Sequence, residues 1–394
     1  MNRCELLPIG NIASNGARTM TTRMNVIPSF RDGLTHVQGI VSLPERIHHG
    51  TTTPPPMKYT LVTGANGEIG HTLLEEFAKD ANRAVVAVDL SPLGADLAAH
   101  CHATIQGDVS DPALWAQLES YDFEEIYHLA ALLSTSAEKR PDVAHNVNVN
   151  GTFGLLRMAR TIGTRIGKPV VFLFPSTIAV YGVPTLDAKN AAAPLTEDKF
   201  LTPHTMYGIN KLYCEQLGGY MSDRYGQLTD DAGKRVLDFR ALRFPGLISA
   251  FTVPSGGTSD YAPEMIHAAA KGESYACFVR PDAKIPFMAM PDGVRALIEL
   301  ASAPAERLTQ RVYNIGAFAP TAEEIAAEVR KAYPSATVTY SPHPKRQAII
   351  DSWCADVDDS AARRDWGWQP AFDMERAFRD YLIPNIAEVY AGKA

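Results

Sequence analysis

From Tyr59 onward the chain alternates two hydrophobic patterns. Short apolar runs, typical of strands buried on both faces, fall at 59–63, 84–88, 103–109, 125–131, 170–174 and 236–244. Between them apolar residues recur every three or four positions, as with Leu73, Leu74 and Phe77, and over a long stretch at 143–165. That spacing predicts helices. Strands and helices in alternation argue an α/β fold with a doubly wound, mostly parallel sheet. From about Ser249 the pattern loosens, which predicts a main domain over 57–248 and a smaller C-terminal lobe over 249–394. A segment at about 311–318 is expected to return to the main domain. No internal repeat is visible.

The link between the first two predicted elements is rich in glycine. Gly64-Ala65-Asn66-Gly67-Glu68-Ile69-Gly70 joins a strand to a helix, the context a dinucleotide-binding turn requires. Glycines let the backbone turn tightly and approach a pyrophosphate, whose charge suits a helix N-terminus. The spacing is G-x-x-G-x-x-G. Asp89 ends the second run, 19 residues after Gly70. A carboxylate there accepts hydrogen bonds from both adenosine ribose hydroxyls and repels a 2′-phosphate, which favours NAD over NADP. In such Rossmann-type sheets ligands bind beyond the carboxyl ends of the strands. Gly64, Asp89, Asp108, Ala130 and Thr177 all fall at predicted strand ends.

A second constellation lies further along. Tyr207 and Lys211 stand at i and i+4, on one face of a helix, 30 residues after Thr177 and its neighbour Ser176. An ammonium beside a phenol favours the phenolate, so the pair is expected to make a tyrosine able to take a proton from an alcohol. Ordinary helices also carry this spacing, and its meaning comes from the glycine turn in the same domain.

Composition narrows the choices. Hydrophobic residues are 46% and charged residues 21% of the chain, ordinary for a globular protein. A formal net charge of −7 gives no footprint for nucleic acid, and no apolar stretch is long enough to span a membrane. The five cysteines are scattered with no C-x-x-C, which suits free thiols in a reducing compartment and gives no metal site. Residues 1–56 differ in kind, with five arginines, three acids, no lysine, and a Thr-Thr-Thr-Pro-Pro-Pro ending. They read as an extended, poorly ordered N-terminus, which leaves the protein cytoplasmic. As an Arg-rich transit peptide they would instead direct it to mitochondria.

Residues 57–370 resemble the extended short-chain dehydrogenases/reductases. The shared stretches are GANGEIG, Asp89, GDV at 107–109, HLAA at 128–131, NVNGT at 148–152, PSTIAVYG at 175–182 and YGINK. Within that superfamily HLAALLS, LRFPGLIS, GGTSDYA, IPFMAMPD and DSW…DDSAARRDWGW are most similar to the L-threonine 3-dehydrogenase branch, related to UDP-galactose 4-epimerases. The resemblance implies NAD held by Gly64, Asn66, Gly67, Glu68, Ile69, Gly70, Asp89, Asp108, Val109, Leu129, Ala130, Ala131, Asn148, Tyr207 and Lys211. It implies a proton relay of Thr177, Tyr207 and Lys211. Oxidation of the C3 hydroxyl of L-threonine would give 2-amino-3-oxobutanoate. For the substrate it suggests Ser134, Ser176, Thr177, Tyr207, Thr258, Ser259 and Asp260, the last facing the ammonium. Arg243, Arg280 and Arg346 are open candidates for the carboxylate, and 285–288 for an apolar wall receiving the methyl group.

Departures matter too. Many nucleotide-sugar enzymes of the superfamily carry asparagine where this chain has Gly246, which counts against a sugar-nucleotide substrate. A nucleotide-sugar epimerase or dehydratase that retains its NAD stays as the alternative enzyme, and a non-catalytic NAD sensor as the alternative class. Apolar residues on several faces of 143–165 and 206–225, with the pairing of such helices in related enzymes, imply a homodimer.

Overall fold

The computed structural model describes residues 57–254 and 257–391, so the leader lies outside the described residues. The first six strands are β1 (Lys58–Thr63), β2 (Arg83–Asp89), β3 (Ala103–Gln106), β4 (Phe123–His128), β5 (Val170–Thr177) and β6 (Leu237–Phe244). Five short ones follow: β7 (Gly246–Ile248), β8 (Tyr275–Cys277), β9 (Phe287–Ala289), β10 (Val312–Asn314) and β11 (Val338–Tyr340). Seven of them form one parallel sheet in the order β10-β6-β5-β4-β1-β2-β3. β7 pairs with β9, and β8 with β11.

Period-two alternation divides the sheet between two cores. Val62, Val85 and Leu173 face a core shared with α1 (Glu68–Phe77), where Leu73, Leu74 and Phe77 are buried. Leu61, Val86, Ile126 and Phe172 face the opposite core with Leu155 and Ile162 of the helix Thr152–Ile166. Successive strands spread one way through β1, β2 and β3 and the other way through β4, β5 and β6, so the order reverses between β1 and β4. A crevice opens beyond strand ends at such a switch point.

Three expected elements take other bounds. The third strand ends at Gln106, leaving Asp108 and Val109 in the loop beyond it. The fourth ends at His128, which frees Leu129, Ala130 and Ala131 from the sheet. The helix expected over 143–165 is three pieces: Pro141–His145, a π turn at Asn146–Gly151, and Thr152–Ile166. The wider turn has a local partner. Thr152 Oγ1 donates to the Asn148 carbonyl at 2.6 Å, while the Asn148 side chain bonds both the N–H (2.7 Å) and the C=O (3.0 Å) of Leu132.

On the helix Met206–Asp223, Ile209, Tyr213 and Tyr220 stay about half exposed, while Cys214 and Met221 are buried on the other side. Among the described residues no helix is long and apolar enough to cross a membrane.

Candidate active site

The crevice at the switch point has a volume of about 510 Å³. Gly64 opens it with φ +69°, where a Cβ would stand 2.6 Å from the Ala130 amide nitrogen. A Cβ at Gly70 would come within 2.5 Å of the Ala65 carbonyl oxygen. Both glycines are therefore set by backbone packed on backbone. Gly67 precedes α1, which has no side-chain cap, so its first N–H groups point past the helix end toward the crevice. Asp89 is tied into the turn: Oδ2 accepts from the Asn66 N–H and Oδ1 from the Ser91 N–H, each at 3.0 Å. Asp108 Oδ1 caps the neighbouring loop through the N–H and hydroxyl of Ser110, both at 2.8 Å.

These features fit a dinucleotide: a cradle only glycine can form, an uncapped helix N-terminus, and a carboxylate with spare lone pairs at the end of β2. Gly64, Gly67, Glu68, Ile69, Gly70, Asp89, Asp108, Val109, Leu129, Ala130 and Ala131 line the crevice. Asn66 and Asn148 do not. The Asn66 N–H braces Asp89, and its side-chain Oδ1 accepts from His71 Nε2 at 3.0 Å. Asn148 sits behind the wall and pins the loop after β4.

Beneath that loop, His128 is buried between Thr63 Oγ1 (2.7 Å) and Thr152 Oγ1 (2.9 Å). Burial, aided by the Lys211 charge, pushes its pKa down to about 3, so the ring is a neutral spacer locking β1 to β4 and the following helix.

The chemical groups gather at the end of β5. Thr177 ends the strand, and its hydroxyl accepts from the Ala179 N–H at 3.1 Å. Tyr207 and Lys211 come from the first turns of the helix Met206–Asp223, N-capped by Thr205. All three line the crevice with Ser134, Ser176, Thr258, Ser259 and Asp260. The expected electrostatics of the tyrosine need correction. Burial raises the Tyr207 phenol well above its ordinary value, and the lysine does not offset it. Lys211 Nζ lies 5.7 Å from the Tyr207 ring centroid and donates to the Pro175 carbonyl at 2.7 Å, with the Phe174 ring 4.4 Å away. Burial holds Lys211 itself at about 8, against the pull of Cys214 and Glu215. Two groups enclosed together both resist charge.

Ser176 reaches the crevice wall, but its hydroxyl donates inward to Glu215 Oε1 at 2.5 Å. Glu215 also receives two bonds from Arg243, at 2.9 and 2.7 Å; Arg243 donates as well to the Tyr181 hydroxyl, which in turn donates to Asn314 Oδ1. This buried chain, unseen in the sequence, fixes β5, β6 and the Tyr207 helix to one another.

None of the three candidate arginines lines the crevice. Arg243 is committed to Glu215, Arg280 holds Asp351 in a fork at 2.8 and 3.0 Å, and Arg346 donates to the Gly257 carbonyl. The apolar wall is also elsewhere. Ile285, Phe287 and Met288 are core residues, and the crevice meets Leu132, Leu133, Leu247, Met290 and Trp353 instead. Phe287 acts from behind: a Cβ at Gly246 would stand 2.6 Å from its ring.

Fold and crevice together define a Rossmann-type α/β protein of the short-chain dehydrogenase/reductase class. The chain belongs to the NAD dependent epimerase/dehydratase family, whose model matches residues 60–316. It is 42% identical over 249 residues to a mitochondrial L-threonine 3-dehydrogenase of Bos taurus, a stretch covering 63% of this chain and 61% of that one. A GalE-like L-threonine dehydrogenase from Cupriavidus necator, in its holo form, is 35% identical with a TM-score of 0.73, covering 84% of this chain and 99% of that one. A monomeric L-threonine 3-dehydrogenase from a metagenome is 33% identical at a TM-score of 0.72, covering 84% and 99%.

Proposed function

We propose that the protein is an NAD-dependent L-threonine 3-dehydrogenase. The observation that carries this is the amino-acid end of the crevice. There a glycine that cannot be enlarged (Gly246, backed by Phe287) meets small hydroxyls from Ser134, Thr258 and Ser259. Such a lining suits a short polar substrate better than a second nucleotide. Similarity to threonine dehydrogenases across nearly the full length of solved relatives supports the same reading.

Thr177 and Tyr207 hold the C3 hydroxyl of threonine. Tyr207 takes the hydroxyl proton as the C3–H bond breaks and C3–O becomes a carbonyl, leaving 2-amino-3-oxobutanoate. NAD, held there, would supply the acceptor for the hydride leaving C3. Lys211 and Tyr207 would hold its ribose, the Gly64–Gly70 turn its pyrophosphate and Asp89 the adenosine ribose. With burial raising the phenol, Tyr207 serves as base only once substrate and cofactor stabilise its anion.

The test offers L-threonine, L-serine and UDP-galactose separately with NAD⁺ or NADP⁺ and follows NADH or NADPH. Threonine with NAD⁺ should give the highest kcat/KM, with serine lower because it lacks the methyl group, an effect of roughly 10–200-fold. NADP⁺ should be poor because its phosphate would face Asp89. Tight UDP-galactose binding without NADH from threonine would move the protein to the epimerases.

A further inference from the structure

The sequence similarity at 351–353 and the arginines at 280 and 346 find no role in the chemistry, yet they meet around one helix. Pro344–Ser352 is capped by His343 and is joined to the crevice wall near both ends, through lining residues outside the helix. At its end the next residue, Trp353, lines the crevice wall. Near its start Arg346 donates through Nη2 to the carbonyl of Gly257.

Arg346 forms no ion pair among the described residues. Its guanidinium lies 3.1 Å from the centroid of Phe278, and Phe278 in turn meets the edge of Tyr261 at 5.9 Å. The cation thus lies over an aromatic face and is aimed at one backbone carbonyl. That carbonyl belongs to a turn held from the other side as well. The Gly257 N–H donates to Asp260 Oδ2 at 2.6 Å, and a Cβ at 257 would stand 2.6 Å from Asp260 Oδ1. With both its N–H and its C=O held, Gly257 fixes the orientation of Thr258 and Ser259, which line the crevice. Thr258 Oγ1 then reaches across to Ser134 Oγ at 3.2 Å.

The helix is itself firmly seated. Arg280 forks onto Asp351, Gln347 bonds both the Arg280 N–H (2.6 Å) and Asp351 (2.8 Å), and the buried Lys189 ammonium donates to the Ile350 carbonyl at 2.7 Å.

We propose that Arg346 is a positioning residue for the amino-acid substrate. Lying over Phe278, it holds the Gly257 carbonyl and so sets the hydroxyls of Thr258 and Ser259. Arg280 and Asp351 hold the helix that presents it. This assignment rests on the threonine reading and adds to it a determinant outside the crevice. It separates two kinetic quantities: the turn meets the amino acid, whereas NAD and the Tyr207 oxygen lie on other elements.

The experiment compares wild type, Arg346→Ala and Arg346→Lys. It reads KM for threonine, kcat, the NAD dissociation constant by fluorescence titration, and the thermal midpoint. Arg346→Ala should raise KM for threonine about tenfold or more, in keeping with a lost charge-assisted hydrogen bond. NAD affinity should stay within about twofold of wild type, the size of change expected where no contact is lost. Arg346→Lys keeps a cationic donor without the planar guanidinium and should fall between the two. If Arg346→Ala does not fold, Arg346→Lys alone must still raise KM and leave NAD affinity unchanged. Unchanged KM in the folded variants, or equal losses in KM, kcat and NAD affinity, would overturn the assignment while wild type still oxidised threonine. A wild type that made no NADH from threonine would overturn the underlying reading and this one with it.

Discussion

The two ends of the crevice are built by different means. At the proposed cofactor end the shape is backbone against backbone: Gly64 against Ala130 joins the ends of the neighbouring strands β1 and β4, and Gly70 packs on Ala65 within one turn. At the amino-acid end side chains reach from far along the chain: Arg346 to Gly257 across 89 residues, and Thr258 to Ser134 across 124. A site made of backbone tolerates almost no change. One made of reaching side chains can be retuned while the fold stays put, which is how one cofactor scaffold comes to serve many substrates.

The seam between the two ends should show the largest effect. Tyr207→Phe keeps the ring and removes the oxygen proposed to receive the proton. Its kcat should fall by about 10²–10⁴ while NAD affinity changes little. A variant retaining most of its activity would place the base elsewhere and leave the two ends without a chemical junction.

A matched pair of small substitutions then tests the contrast itself. Gly64→Ala puts a Cβ at φ +69° and 2.6 Å from a backbone nitrogen, so neither the turn nor the neighbour can yield cheaply. It should cost about 1–3 kcal/mol of stability and weaken NAD binding together. Ser259→Ala, at the other end, removes a half-buried hydroxyl and should leave stability within about 0.5 kcal/mol while raising KM for threonine a few-fold. Thermal unfolding and NAD titration of both variants decide the matter. Equal responses would abolish the distinction.

The same contrast explains what could be read from the sequence. The glycine turn, Asp89 and the alternating strands are local patterns, and the sheet follows from them because β1, β2, β4, β5 and β6 are short runs largely buried on both faces, with only the edge strand β3 left open. Tyr207 and Lys211 were legible for the same reason, since a helix brings i and i+4 together. Charge was less so. Helical spacing showed that the two were neighbours but not that both were enclosed, or that Lys211 donates to Pro175. The partners of Arg243, Arg280 and Arg346 were invisible, because an arginine's role depends on which distant carboxylate or carbonyl the fold delivers. The apolar run at 285–288 misled in the opposite direction. Its hydrophobicity was real, but its side chains face the core, and it meets the site from behind, through the Phe287 ring against Gly246 and the Pro286 carbonyl, which accepts from the Gly246 N–H at 3.0 Å. The π turn around Asn148 left no periodic signal, since one wider turn hardly disturbs a helical pattern.

The subtlest shift, a pH-dependent change in stability, concerns the enclosed lysine, where function and stability should oppose each other. Lys211 is held at about 8 against an ordinary 10.5, chiefly by burial. A base with a depressed folded pKa binds fewer protons when folded than when unfolded, so its penalty on folding is full below about pH 8. It fades as pH rises toward 10.5, where both states are neutral. Lys211→Met removes that penalty together with the bond to Pro175, for a net gain of about 1–2 kcal/mol at pH 7. Lys189, also held at about 8 by burial, is present in both proteins and cancels from their difference. The variant should therefore unfold at a higher temperature than wild type at pH 7, lose that advantage by pH 10, and be inactive throughout. A difference in Tm that did not shrink between pH 7 and pH 10 would mean that Lys211 is not held near neutrality by its surroundings. The seam would then lack the strain that the bound cofactor and substrate are expected to relieve.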